Sequence, residues 1–171
     1  MIKHVIFDLD QTLVDTRIAE IDRDNRSWPN AYSKIPQMKV YDGIKDVLWF
    51  LDQNKITYSV LTSSPGIYCK KVLEFYNLVP TQVIAYHDVS RRKPHPEGIQ
   101  KILNLMKIDC FEAIHIGDRD IDTIAAKNAG VCSIGALWGN KDNSALIKSQ
   151  PDFLAESPEE LKTIISNLKL D

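Results

Sequence analysis

Three cysteines, Cys69, Cys110 and Cys132, are all the thiol chemistry available to this chain of 171 residues. They are scattered without metal-ligand spacing, and an odd, sparse set fits a reducing interior better than a disulfide framework. The small buried thiol is the expected role for each. No apolar run approaches the roughly 18 residues of a membrane span. A formal net charge of only -2 gives no electrostatic case for nucleic acid or an anionic membrane. The opening "MIKHVIFDLD" turns acidic too early for a signal peptide. Internal repeats and low-complexity stretches are missing too. The default expectation is a cytoplasmic protein; its composition, 44% hydrophobic and 26% charged, is ordinary for a globular chain, and its length suits one domain spanning 1–171.

Short aliphatic runs recur along the chain at 3–9, 57–62, 82–87, 112–118 and 131–137. Each is rich in Val and Ile and nearly continuous in apolarity, as strands covered on both faces are. Helical periodicity fills the gaps. Ile44, Val47, Leu48 and Leu51 share a face, as do Ile99, Ile102, Leu103 and Met106 behind Pro96. The stretch after Pro65 puts Ile67, Val72, Phe75 and Tyr76 on a broader stripe. Ile121, Ile124, Ala125 and Ala129 run up to Gly130, placed to end a helix, and Ser157 with Glu160 can cap the last one. Strand-helix alternation of this kind predicts an α/β, three-layer Rossmann-like domain, with a mostly parallel sheet of about five strands flanked by helices. Residues 16–41 break the rhythm. A short helix around 17–26 and a loop marked by Pro29 and Pro36 are expected there, too little for a second core.

In such sheets the functional crevice lies beyond the carboxyl ends of the strands, so the residues that follow each aliphatic run matter most. The first run ends in Asp8 and Asp10, two apart and able to face one crevice. The second ends in Thr62 and Ser63, and Lys93 stands before Pro94 after the third. The fourth ends in Asp118, with Asp122 four residues on. Four carboxylates in one crevice raise one another's pKa unless a cation joins them. An oxygen-only set selects a hard ion, and Mg²⁺ is the physiological candidate.

Each piece has an ordinary explanation: an Asx turn, a loop before a helix, a solvated lysine, an acid favoured at a helix start. Their combination does not. At about 5% per residue type, D-x-D-x-T arises by chance in roughly 2% of chains this long, and G-D-x-x-x-D about as often. Both together fall to a few in ten thousand chains on the same estimate.

In these residues and their order, the sequence resembles the haloacid dehalogenase-like hydrolases in their phosphatase branch. "DLDQT" (8–12), "LTSS" (61–64), "RKPHPE" (92–97) and "GDRDIDTIAAKNAG" (117–130) look like the four signatures of that family, in order and spacing. The resemblance implies that Asp8 is the nucleophile, forming an aspartyl-phosphate, and that Asp10 is the general acid and then the base. It implies that Thr62 and the Ser63 amide hold the phosphoryl oxygens while Lys93 offsets charge. Mg²⁺ falls to Asp8, the backbone carbonyl of Asp10 and Asp118, with Asp122 ligating through water or steadying Lys93; Asp120 is a decoy or spare ligand.

Gln11 stands where many relatives have Gly, a position expected to supply only backbone. The 16–41 segment occupies the cap position but is short, so an open site is expected. Specificity then rests on Arg17, Arg23, Arg26, Trp28 and Tyr32. The partner is a phosphorylated small molecule or macromolecule, with a neighbouring subunit able to cover the site. The competing reading is a non-catalytic or phospho-accepting regulatory phosphate-binding module, in which Asp10 would have no purpose.

Overall fold

The computed structural model describes residues 1–170. Strand β1 (His4–Phe7) leads into a ribbon strand β2 (Val14–Asp15), the short helices α1 (Glu20–Asp24) and α2 (Trp28–Ser33), and the second ribbon strand β3 (Lys39–Val40). Then come α3 (Ile44–Gln53), β4 (Thr57–Leu61), α4 (Gly66–Phe75), β5 (Gln82–Ile84), α5 (Glu97–Met106), β6 (Ala113–Gly117), α6 (Asp120–Ala129) and β7 (Cys132–Ala136). The chain closes with α7 (Ser144–Lys148), β8 (Phe153–Ala155) and α8 (Pro158–Leu170).

Six of the strands form one sheet in the order β5-β4-β1-β6-β7-β8, and every pairing in it is parallel. The sixth strand, β8, has only three residues, two of them exposed, and therefore carries no aliphatic run to read. From β1 the chain builds outward through β4 to β5, then returns to lay β6 on the other flank of β1. The reversal places a crevice at the carboxyl end of β1, where neighbouring loops diverge.

Side chains alternate between two layers. Val5 and Phe7 pack into a cluster with α3, α4 and α8, while Ile6 faces Ile99, Ile102 and Ala125 of α5 and α6. Each such side chain, withdrawn from water, contributes about 1.5–3 kcal/mol. Two predicted helical stripes are rotated from their expected positions. On α4 the buried residues are Tyr68, Cys69, Val72 and Leu73, with Ile67 and Phe75 exposed. On α6 they are Asp122, Thr123, Ala125 and Ala126, with Ile124 exposed. Both faces include polar or small residues drawn inward by the site, so apolarity alone misplaces them.

Pro29 does not mark a loop. It sits in the first turn of α2, where a missing N–H leaves nothing unpaired. Ser157 caps α8 as expected, its hydroxyl accepting from the Glu160 N–H at 3.2 Å. The three cysteines are free; Cys69 is buried and the other two half-buried. Among the described residues no helix is long and apolar enough to cross a membrane.

His4 is fully buried within the sheet, its Nδ1 2.6 Å from Thr57 Oγ1 and its Nε2 2.8 Å from Ser59 Oγ. Burial pushes its pKa down to about 4. Because the folded value lies below the unfolded one, this stability is complete above about pH 6.5 and is lost as pH falls toward 4. The amount is up to about 3 kcal/mol. Denaturant unfolding at pH 7.5 and 4.5 should show the His4→Gln variant losing less stability on acidification than the unaltered chain. Equal losses would remove His4 as the cause.

Candidate active site

The site begins where β1 stops. Leu9 O accepts from the N–H groups of both Leu13 and Val14, folding residues 9–14 into a tight turn. Gln11 lies at its apex with φ +61°, a left-handed conformation that glycine adopts freely. The expectation that position 11 supplies only backbone is incomplete. Its side-chain carbonyl accepts from the Thr16 N–H at 3.3 Å and the Tyr41 hydroxyl at 3.4 Å, pinning the turn to the 16–41 segment. Gly139 is required beneath it, since a Cβ there would lie 1.8 Å from Gln11 O.

Asp8, Asp118 and Asp122 converge from β1, β6 and α6. One oxygen of each lies within 4.8 Å of the others, and all three are buried. Gly117 permits this closeness: a Cβ at that position would sit 2.2 Å from Asp122 Cγ. Lys93 reaches in from the loop before α5, its side chain 4% exposed. It donates to Asp8 Oδ1 at 2.7 Å, Asp122 Oδ1 at 2.6 Å and Leu61 O at 3.1 Å.

The electrostatics show one cation too few. Burial raises Asp118 to about 8, reinforced by Asp8 and Asp122. Burial likewise raises Asp8 to about 6, against the pull of Lys93. Asp122 is also penalised by burial, but Lys93 and His115 outweigh that and hold it below the ordinary carboxylate range. Burial opposes the charge on Lys93, yet Asp122 and Asp8 raise its pKa overall. Three carboxylates facing a single ammonium leave room for a divalent cation, and an all-oxygen set fits a hard one. Asp8 and Asp118 suit direct ligation. Asp122 already accepts from Lys93, from the Arg119 N–H at 3.1 Å and faces His115 Nε2 at 3.3 Å.

Asp10 lines the same cavity but turns its carboxylate to another set of partners. Oδ1 accepts from Thr16 Oγ1 at 2.7 Å, from Tyr68 OH at 3.2 Å and from the Arg23 guanidinium; Oδ2 accepts from Ser64 Oγ at 2.6 Å. Thr62 is buried beside Asp8, and its hydroxyl oxygen accepts from the Ser64 N–H at 3.0 Å, which leaves its proton to donate. Ser63 is exposed on the cavity lining.

All seven predicted residues, Asp8, Asp10, Thr62, Ser63, Lys93, Asp118 and Asp122, border one open cavity of about 830 Å³. Of the five candidates in the segment 16–41, Arg23, Arg26 and Trp28 also border it, together with the acids Glu20 and Asp24. Arg17 instead pairs with Asp15, and Tyr32 packs on the core with Lys71 over its ring.

Several contributors are missed by reading strand ends. Thr16, Ser64 and Tyr68 hold Asp10, and Asn140 donates to Asp118 Oδ2 while Thr12 Oγ1 donates to Asp118 Oδ1 at 3.3 Å. His115 is read as a strand residue, yet its Nδ1 sits 3.1 Å from Ile6 O and its Nε2 faces Asp122. The only available signal for it was a polar residue within an apolar run.

Comparison with known proteins shows the family of the chain. Residues 18–136 match the family model described as haloacid dehalogenase-like hydrolase. A pyrophosphatase PpaX of Bacillus cereus is 26% identical over 215 aligned positions, covering 98% of both chains. The alignment is longer than this chain, so the relative carries residues that this one lacks. A phosphoglycolate phosphatase of Vibrio parahaemolyticus is 27% identical over 129 residues; 74% of this chain spans 57% of its length. Among solved structures, a HAD-superfamily hydrolase from Geobacter sulfurreducens superposes with a TM-score of 0.75 at 23% identity, covering 96% of this chain and all of its own. A second solved structure, described as a predicted phosphoglycolate phosphatase from Haemophilus somnus, reaches 0.85 at 17% identity over 96% and 98% of the two chains. The chain belongs to the haloacid dehalogenase-like hydrolases.

Proposed function

We propose that the chain is a Mg²⁺-dependent phosphomonoester hydrolase working through an aspartyl-phosphate on Asp8. The observation that carries this reading is Lys93, buried between Asp8 and Asp122 with Asp118 alongside. A buried carboxylate steadied by one ammonium and short of one cation is arranged to receive a phosphoryl group together with a metal. Names of relatives point the same way, toward small phosphorylated substrates.

Asp8 and Asp118, with the Asp10 carbonyl, would hold Mg²⁺, which when bound offsets charge on the phosphoryl oxygens. Lys93 orients the free Asp8 oxygen toward phosphorus and adds its own positive charge. The Thr62 hydroxyl and the Ser63 N–H donate to phosphoryl oxygens. As the Asp8–phosphorus bond forms and the ester bond breaks, Asp10 gives a proton to the leaving oxygen. Asp10 then takes a proton from the water that cleaves the aspartyl-phosphate, returning Asp8 as a carboxylate. Asp122 fixes Lys93. The 16–41 segment serves as a minimal cap, its α1 and α2 walling one side of the cavity.

The test is phosphate release from an aryl phosphate and a panel of small phosphate esters, with Mg²⁺ and after chelation. Release should fall by about 100-fold or more on chelation and return when Mg²⁺ is restored. Chelator-insensitive release would reject the metal, and no release from any ester would reject the hydrolase.

A further inference from the structure

Arg23 is a largely buried cation on the cavity wall that plays no part in this mechanism, whereas Arg26 and Arg119 line the same cavity. It projects from α1 with its side chain only 14% exposed, its guanidinium 5.8 Å from the Tyr68 ring centre. One terminal nitrogen, Nη1, meets Asp10 Oδ1, while Nε is buried with no hydrogen-bond partner. Asp10 does not depend on this contact, because Thr16, Ser64 and Tyr68 already supply three donors to it. A guanidinium carries five N–H groups in a planar fork matched to a carboxylate or phosphate, and leaving one buried and unpaired is unfavourable. Lys93 has no comparable spare capacity, since its three donors go to Asp8, Asp122 and Leu61 O.

We propose that Arg23 forms a subsite for a second anionic group on the leaving-group side of the substrate, and that this group draws Arg23 off Asp10. The proposal rests on the phosphatase reading, which places Asp10 beside the leaving oxygen and therefore Arg23 beside whatever that oxygen carries. Before Asp10 can reach the leaving oxygen, it must release part of its present ring of donors. A substrate anion next to that oxygen takes over Arg23 and makes the release favourable; a neutral alcohol group does not. The favoured class is accordingly a small phosphate ester of a hydroxy acid, or a diphosphate, rather than the ester of a neutral or bulky alcohol.

The test compares 2-phosphoglycolate with its neutral carboxamide, and inorganic pyrophosphate beside them, in the full chain with Mg²⁺. The unaltered protein should favour the acid over the amide in kcat/KM by at least about tenfold. In Arg23→Gln that ratio should collapse to near one, and Arg23→Lys, which keeps charge but loses the fork, should fall between. The ratio cancels any general damage to Asp10, and Arg23→Lys carries the test if Arg23→Gln fails to fold. Calorimetry with the non-hydrolysable 3-phosphonopropionate and its amide asks the same question without turnover. A binding preference with no turnover of any ester would uphold the subsite and reject the phosphatase. Turnover without a preference, or an equal loss for acid and amide in Arg23→Gln, would overturn the subsite and leave the phosphatase standing. Pyrophosphate turned over faster than the acid would identify a second phosphoryl group, and the reverse a carboxylate.

Discussion

The Asp8→Asn variant should fold normally and lose at least about 10⁴-fold in phosphate release. Asn keeps the shape of Asp and can still accept from Lys93 through its carbonyl oxygen, so the packing around β1 is preserved. What disappears is the nucleophile. Phosphate monoester hydrolysis is among the slowest uncatalysed reactions, and without covalent capture the remaining groups must activate water directly. Lys93 retains Asp122 at 2.6 Å and therefore stays in place. The change also removes a carboxylate whose pKa burial pushes up to about 6, so the metal-free variant should be no less stable than the unaltered chain at pH 8. Single-turnover assays with an aryl phosphate, alongside thermal unfolding, measure both effects. Retention of more than about a tenth of the activity would remove Asp8 as the attacking group.

The places of the strand-end residues were legible because the parallel sheet supplies a rule about position. Asp8, Thr62 and Asp118 each follow directly on a strand, and the neighbouring β4, β1 and β6 bring them side by side. Lys93 and Asp122 were legible through spacing from those ends. The environment of Asp10 was not, because it depends on how the short cap segment folds back. Thr16 and Arg23 come from that segment and Tyr68 from α4, and no periodicity in the sequence reports such long-range contacts. Tyr68 is instructive: it stood outside the predicted apolar stripe of α4, yet among the described residues it is the largest fully buried side chain, drawn in by Asp10 and by packing against Trp28 at 6.0 Å. The strand β8 and helix α7 were missed because they are short, three and five residues.

Lys93→Met provides the sharpest test of the charge balance at the centre. Met fills a similar volume but leaves Asp8, Asp118 and Asp122 buried with no ammonium among them. Removing one partner from a buried ion pair costs about 3–5 kcal/mol, and here one lysine serves two carboxylates. The destabilisation should depend on pH in a stated direction. Burial already raises Asp8 to about 6 and Asp118 to about 8, above their unfolded value of 3.8. Groups raised in this way contribute stability that is present at low pH and lost as pH rises through the folded values. Without Lys93 they rise further, so the variant should be least stable near pH 8 and recover toward pH 5, opposite to the trend set by His4. Mg²⁺ should restore part of the loss at pH 8, because a divalent cation replaces some of the missing positive charge. Activity should nonetheless fall by about 10³-fold or more, since the phosphoryl oxygens lose a fixed cation. Denaturant unfolding at pH 5.5 and 8, with and without Mg²⁺, gives the full set. A Lys93→Met protein whose stability follows the same pH curve as the unaltered chain would show that this ammonium does not set the charge balance of Asp8 and Asp122.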